Sequence, residues 1–151
     1  MMQLVKRTRR VASVLGIVLT MAAGSASAAG KLTVEKPWIR LAPPGSMMLA
    51  GYATLRNQGD VPIVISAVTS EDFGSVSLHE TVEEGGVSKM RPLERVEIAP
   101  GAAVTFAPGG KHFMLMKPRR DLKAADVVTI HIDAGKNVGV DADFPVRDVA
   151  P

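Results

Sequence analysis

Residues 112–116 have the sequence "HFMLM", in which bulky apolar residues alternate with histidine and methionine. On a β-strand, successive side chains point to opposite faces, so Phe113 and Leu115 share one face while His112, Met114 and Met116 share the other. The first face is typical of a hydrophobic core. The second gathers an imidazole and two sulfur atoms. The stretch therefore predicts a half-buried strand, and it raises the question of why one face of a sheet should carry these groups.

The rest of the chain shows a similar β pattern. Short apolar or alternating segments are separated by Gly, Pro and Asn, with little sustained helical periodicity. Strands of this number and spacing predict an all-β fold, a cupredoxin-like or immunoglobulin-like β-sandwich that forms a single domain over residues 29–151. The candidate strands cover residues 32–34, 49–56, 61–68, 75–80, 87–90, 96–98, 103–106, 113–116, 127–132 and 138–146.

The first 28 residues differ from this pattern and have the three parts of a secretory signal peptide. Four basic residues fall within positions 6–10, residues 11–23 are nearly all apolar or small, and residues 26–28 are Ala-Ser-Ala. The apolar stretch is shorter than the roughly 20 residues that span a bilayer, which makes an uncleaved anchor the weaker alternative. We expect cleavage after Ala28 and secretion to the periplasm.

Cleavage at this point would change the charge of the chain. The signal contains four of the 18 basic residues and none of the 15 acidic ones, which leaves 14 basic against 15 acidic residues and a net charge of −1. The whole-chain charge of +3 is therefore no argument for binding to nucleic acid or to a membrane surface. The chain contains no cysteine, so it has neither a disulfide nor a cysteine that a lipid could modify.

The three histidines have different settings. His131 lies opposite the apolar set of the strand "VVTIHID", which predicts a solvated surface position. His79 shares a strand face with Ser77 and points away from the inferred core, or towards a pocket at its edge. His112 follows the turn at residues 108–111, where a strand begins. Taken alone, each histidine is more often a polar surface residue than a metal ligand.

The spacing of two histidines and two methionines favours a metal-ligand role for these residues over an ordinary surface role. His79, Met90, His112 and Met114 follow the pattern His-x10-Met-x21-His-x-Met. The turn at residues 84–86 can close a hairpin that returns Met90 close to His79. His112 and Met114 share a strand face at positions i and i+2, close enough to hold one ion between them.

Two imidazoles and two thioethers indicate copper. Thioether sulfur is soft and uncharged, so it binds Cu(I) well and has little affinity for Zn²⁺, Mg²⁺ or Ca²⁺. Methionine also suits an oxidising compartment, where paired cysteines would close into disulfides. The alternative role for methionine is flexible core filling. Met90 lies between Lys89 and Arg91, which makes it a poor core candidate.

This pattern closely resembles the PCuAC family of periplasmic copper chaperones. The resemblance rests on the four-residue spacing, on "PWIRLAPPGSMMLAGYATLRNQG" at residues 37–59 and on "PGGKHFMLM" at residues 108–116, and it covers roughly residues 32–146. It implies a cupredoxin-like β-sandwich, with His79, Met90, His112 and Met114 as the ligands of Cu(I).

The same resemblance implies a function. The family holds Cu(I) in the periplasm and passes it to a partner protein, towards the copper centre of cytochrome c oxidase during assembly. Some relatives have a C-terminal tail rich in His and Met that adds a Cu(II) site, but residues 144–151, "FPVRDVAP", contain neither residue type. We therefore expect a single Cu(I) site. We also expect the protein to be a monomer.

Several alternatives stay open at this point. Met47, Met48 and Met116 lie outside the motif; the first two could shield the site or bind the ion transiently, although packing is the simpler interpretation. A general role in copper storage or tolerance, or a structural sandwich without metal, would also fit a secreted β-sandwich. Electron transfer is disfavoured because blue-copper sites need a cysteine, and no catalytic motif indicates an enzyme.

Overall fold

The structure, a computed structural model, describes residues 30–135 and 138–151, and its regular elements in these ranges are all β-strands. The predicted signal peptide lies outside the described residues. No helix in the described ranges is long and apolar enough to cross a membrane. The strands are β1 (Leu32–Arg40), β2 (Met48–Asn57), β3 (Ile63–Ile65), β4 (Ala67–Thr69), β5 (Phe73–Glu84), β6 (Val87–Pro92), β7 (Val96–Ile98), β8 (Ala103–Phe106), β9 (Lys111–Pro118), β10 (Val127–Asp133) and β11 (Gly139–Arg147).

The strands form a single β-sandwich domain, which confirms the predicted fold class. The larger sheet is mixed and has the strand order β4-β10-β11-β1-β2-β9-β5-β6, and β3 and β7 form a separate two-stranded sheet. Strand β2 pairs with β9 through residues 48–51 and with β8 through residues 53–56. The pair β1 and β11 is parallel, and the other pairs are antiparallel.

The core follows the alternation of the strands. On β9, Phe113 and Leu115 are completely buried, as the sequence predicts. The ring of Phe113 lies 4.9 Å from that of Phe106 and 5.3 Å from that of Phe144, measured between ring centres. Burial of each such side chain stabilises the fold by roughly 1.5–3 kcal/mol. The inner face of β9 is therefore fixed by close packing.

The predicted strand at residues 61–68 is wrong, because this segment contains two strands. Residues 61–68 form two short strands in different sheets, because the chain crosses from one sheet to the other at Ser66. Strand β3 pairs with β7, and β4 pairs with β10. The backbone N–H of Ser66 donates to the carbonyl of Asp133, so the crossing point is itself held by a hydrogen bond.

Strand β1 is longer than the predicted strand at residues 32–34 and brings Trp38 into the interior of the sheet. Strand β1 extends from Leu32 to Arg40, and its end lies between β2 and β11 in the interior of the sheet. Pro37 is accommodated because the register shifts between Glu35 and Trp38, an irregularity of the kind in which a strand tolerates proline. Trp38 is 5% exposed, and its ring centre lies 4.9 Å from that of Tyr52.

Candidate metal centre

The outer face of β2, β9 and β5 carries the sulfur and imidazole groups in register. Met48 lies opposite Met116, and Ala50 lies opposite Met114. On the other side of β9, Met114 lies opposite Ser77 and His112 lies opposite His79. Directly opposed residues share a face, so these side chains project away from the core that Phe113 and Leu115 fill. Pairing of β5 with β9 therefore brings together two histidines that are distant in sequence.

The hairpin predicted around residues 84–86 is confirmed. Strands β5 and β6 are antiparallel, and Gly85 and Gly86 have φ angles of 61° and 78°. Positive φ at both central residues is the requirement of the tight turn that matches the twist of a hairpin. Met90 lies opposite Thr81, two residues along β5 from His79 and on the same face. The hairpin thus returns Met90 towards His79.

The two imidazoles face each other across the β5–β9 pair. Their ring centres are 6.0 Å apart and their planes differ by 28°. His112 is 8% exposed, and its Nδ1 lies 3.1 Å from the carbonyl oxygen of Gly110. A carbonyl can only accept, so Nδ1 carries the proton and the Nε2 of the neutral ring keeps a lone pair. This arrangement leaves the Nε2 of His112 available as a donor atom.

His79 has a nitrogen without a partner. Its Nε2 lies 3.1 Å from the Oγ of Ser77, while its buried Nδ1 has no hydrogen-bond partner in the described part of the chain. Burial lowers the pKa of His79 below its ordinary value of 6.5, and the neighbouring His112 lowers this pKa further. His79 is therefore neutral at neutral pH, which is the form that binds metal.

A cavity opens beside these groups. It has a volume of about 250 Å³ and is lined by three methionines, Met48, Met90 and Met114, together with His112 and a wall that includes residues 40–43. We call it the methionine pocket. Its lining does not include His79, which lies on the far side of His112. Met90 is 50% exposed, so at least one sulfur-bearing side chain is open to solvent.

The packing interpretation of Met47 and Met48 is wrong. Met47 is 60% exposed in the loop before β2, and Met48 is 49% exposed at the start of this strand. The predicted strand begins at Leu49 and therefore leaves out Met48, which lies on the outer face of β2. The signal was available, because Leu49 faces the core and alternation then turns Met48 outwards.

The remaining candidate groups are occupied elsewhere. His131 is on the exposed face of β10, as predicted, with its Nδ1 2.6 Å from an Oδ1 of Asp141. Glu80, next to His79, accepts a hydrogen bond of 2.7 Å from Lys111 and does not orient the imidazole. In residues 30–135 and 138–151, no three His, Cys, Asp or Glu side chains come together as a metal site. The outer face instead offers two imidazoles with methionine sulfur beside them.

The chain has relatives among known proteins. Residues 32–146 match the LpqE-like family, described as "Putative lipoprotein LpqE-like". The "Putative lipoprotein Lxx21020" of Leifsonia xyli is 30% identical over 116 residues, which is 76% of this chain and 69% of that protein. The "Uncharacterized protein RP573" of Rickettsia prowazekii is 33% identical over 78 residues, 51% of this chain and 43% of that protein.

Solved structures share both the fold and part of the sequence. The copper-bound PCuAC domain from PmoF2 is 27% identical with a TM-score of 0.66, covering 82% of this chain and 97% of that domain. The apo PCuAC domain from PmoF1 is 30% identical with a TM-score of 0.65, covering 81% and 96%. The Cu(I) form of DR1885 from Deinococcus radiodurans is 26% identical with a TM-score of 0.57, covering 84% and 82%. The resemblance predicted from the sequence is thereby confirmed, and the chain belongs to the LpqE-like family of PCuAC domains.

Proposed function

We propose that this protein is a periplasmic copper chaperone that binds one Cu(I) through His79, Met90, His112 and Met114 and passes it to a partner. We further propose that the recipient pathway is the assembly of the copper centre of cytochrome c oxidase. The observation that carries the proposal is the single outer face that presents two opposed histidines and two methionines. His112, Met90 and Met114 line the methionine pocket, and His79 lies beside His112 on the neighbouring strand. The copper-bound states of related PCuAC domains support the choice of metal.

The spacing of the imidazoles supports binding of one ion by both. An imidazole nitrogen binds a metal ion at about 2 Å, which keeps the centres of two rings on one ion within about 6 Å of each other. The observed separation of 6.0 Å meets this limit. The unpartnered Nδ1 of His79 supports the same conclusion, since an isolated buried polar atom is costly and a metal ion would satisfy it.

The charge of the donor set suits a protein that must release its cargo. All four donors are neutral, so the ion gains no strong electrostatic attraction from carboxylate or thiolate at the site. The soft thioethers give selectivity for Cu(I) instead. Because Met90 is half exposed, an incoming thiolate of an acceptor protein can displace its thioether first and the remaining ligands afterwards.

The leader and the relatives support a periplasmic location. We propose that residues 1–28 direct secretion and that cleavage after Ala28 releases the domain. The lipoprotein descriptions of the family and of the Leifsonia relative support a location outside the cytoplasm. The 151 residues contain no cysteine that a lipid could modify.

A competition titration tests the proposal. The secreted chain is titrated with Cu(I) against a colorimetric chelator without oxygen, beside a Met90→Leu, Met114→Leu double variant. We expect one equivalent to bind tightly and the affinity of the double variant to fall at least about tenfold, a loss of about 1.4 kcal/mol. Met47→Leu is the control, because Met47 lies outside the methionine pocket lining. Equal binding by the wild type and the double variant would refute the proposed site.

A further inference from the structure

A third methionine, Met48, lines the methionine pocket from the side opposite to His79. It opens β2 directly across from Met116, and Met114 is its diagonal neighbour on β9. Diagonal neighbours on one face lie about 7–8 Å apart at their backbones, within reach of long side chains. Ala50, the next outer-face residue of β2 after Met48, is small and leaves the pocket open.

We propose that Met48 is a transfer ligand, a thioether that binds Cu(I) at the mouth of the methionine pocket while the ion enters or leaves. This inference rests on the proposed function, and it adds a role for a residue outside the four-residue motif. The step is a ligand exchange in which one neutral donor replaces another. Copper stays as Cu(I), no electron is transferred, and the neutral thioether brings no proton with it.

Exposure and position favour a transient role for Met48. The buried donors lie at one end of the site, where His112 is 8% exposed and His79 is partly buried behind it. Met48 is 49% exposed at the other end. An ion that moves from the imidazoles towards Met48 therefore exchanges a buried nitrogen for an exposed sulfur without losing contact with Met114. The flexible, unbranched side chain of methionine allows such a movement.

Packing in the core does not explain why Met48 occupies its position. A half-exposed methionine contributes little to a core, and the core of this domain is complete on the other face of β2, where Leu49 is buried. Met48 differs in this respect from Met47, which is more exposed and does not line the methionine pocket. The adjacent pair therefore provides a matched comparison of two exposed methionines, one at the pocket and one away from it.

Two measurements on the secreted chain test this role. The first labels the methionine methyl groups with carbon-13 and follows each resonance by NMR as Cu(I) is added without oxygen. The second uses stopped flow to measure the rate at which Cu(I) passes from the loaded protein to a chelator, for the wild type, Met48→Leu and the control Met47→Leu. Leucine preserves most of the volume of methionine and removes only the sulfur donor.

We expect the methyl groups of Met90, Met114 and Met48 to respond to Cu(I), and the methyl group of Met47 to stay unchanged. The Met48→Leu variant should keep its equilibrium affinity within about twofold while its transfer rate falls about tenfold. Met47→Leu should match the wild type in both quantities. This combination would establish Met48 as a transfer ligand.

The contrary outcomes are distinct. A wild-type transfer rate in Met48→Leu would overturn the transfer role and leave the proposed function intact. A loss of affinity in Met48→Leu as large as that caused by replacing Met90 would make Met48 a resident ligand, which also overturns the transfer role. If the methyl groups of Met90 and Met114 do not respond to Cu(I), the proposed function fails and the transfer role fails with it.

Discussion

The two faces of β9 are formed by alternating residues of one strand, yet they differ in burial and in chemistry. On the inner face, Phe113 and Leu115 are fully buried among other apolar side chains. On the outer face, His112 is nearly buried while Met114 and Met116 are partly exposed, and the opposed His79 has an unsatisfied nitrogen. The inner face is fixed by close packing of apolar side chains. The outer face carries nitrogen and sulfur atoms whose lone pairs are available to a ligand. This difference separates the residues that stabilise the fold from those that serve a ligand.

The largest expected effect is on the inner face. Phe113→Ala should lower the free energy of unfolding by about 3–5 kcal/mol, because it leaves a cavity between the rings of Phe106 and Phe144. Denaturant-induced unfolding measures this loss. Met114→Leu on the outer face is the matched change, and it should cost less than about 1.5 kcal/mol while weakening the binding of Cu(I). If the two substitutions lowered the free energy of unfolding equally, the claim that the inner face contributes more to stability than the outer face would be contradicted.

The next effect is the pH dependence of the outer face. The pKa of His79 is lowered from 6.5 by burial and by His112, so the unfolded chain binds a proton at this residue more readily than the folded chain does. The contribution of His79 to stability is therefore fully present above pH 6.5 and is lost as the pH falls towards its lowered pKa. Proton competition acts on metal binding in the same direction, because Cu(I) needs the neutral imidazole.

We expect the affinity for Cu(I) to be nearly constant above about pH 6.5 and to decline below about pH 6. Chelator competition at a series of pH values measures this decline. His79→Gln should reduce the decline, since the imidazole of His79 can then no longer compete for a proton. An affinity that does not change between neutral pH and about pH 5 would contradict a role for both imidazoles.

Much of the fold follows from local patterns in the sequence. Alternation in residues 112–116 is sufficient to assign both faces of β9, and the Glu-Gly-Gly turn is sufficient to predict the hairpin that carries Met90. The division of residues 61–68 into β3 and β4 could not be predicted in this way. It depends on which distant strands accept each half, and the local sequence contains no information about those partners.

The candidate site shows the same limit. Spacing alone identifies His112 and Met114 as neighbours, because they occupy one strand. The position of His79 opposite His112 depends on the pairing of β5 with β9, which the residue pattern leaves open. The place of Met48 beside the methionine pocket depends in addition on where β2 begins. Tertiary pairing therefore determines which donors can act together.

The smallest expected effect concerns the third histidine and sharpens the comparison between faces. His131 also lies on an outward-facing strand position, but its Nδ1 is 2.6 Å from Asp141 and no methionine opposes it on β11 or β4. The two side chains are 51% and 70% exposed, and even a fully charged pair at such exposure contributes at most about 1 kcal/mol. His131→Gln should therefore change stability only slightly and should leave the affinity for Cu(I) unchanged in the chelator titration. If this variant instead lost affinity as strongly as His112→Gln, an exposed imidazole would be sufficient to bind copper, and the shared face of β2, β9 and β5 would no longer define the site.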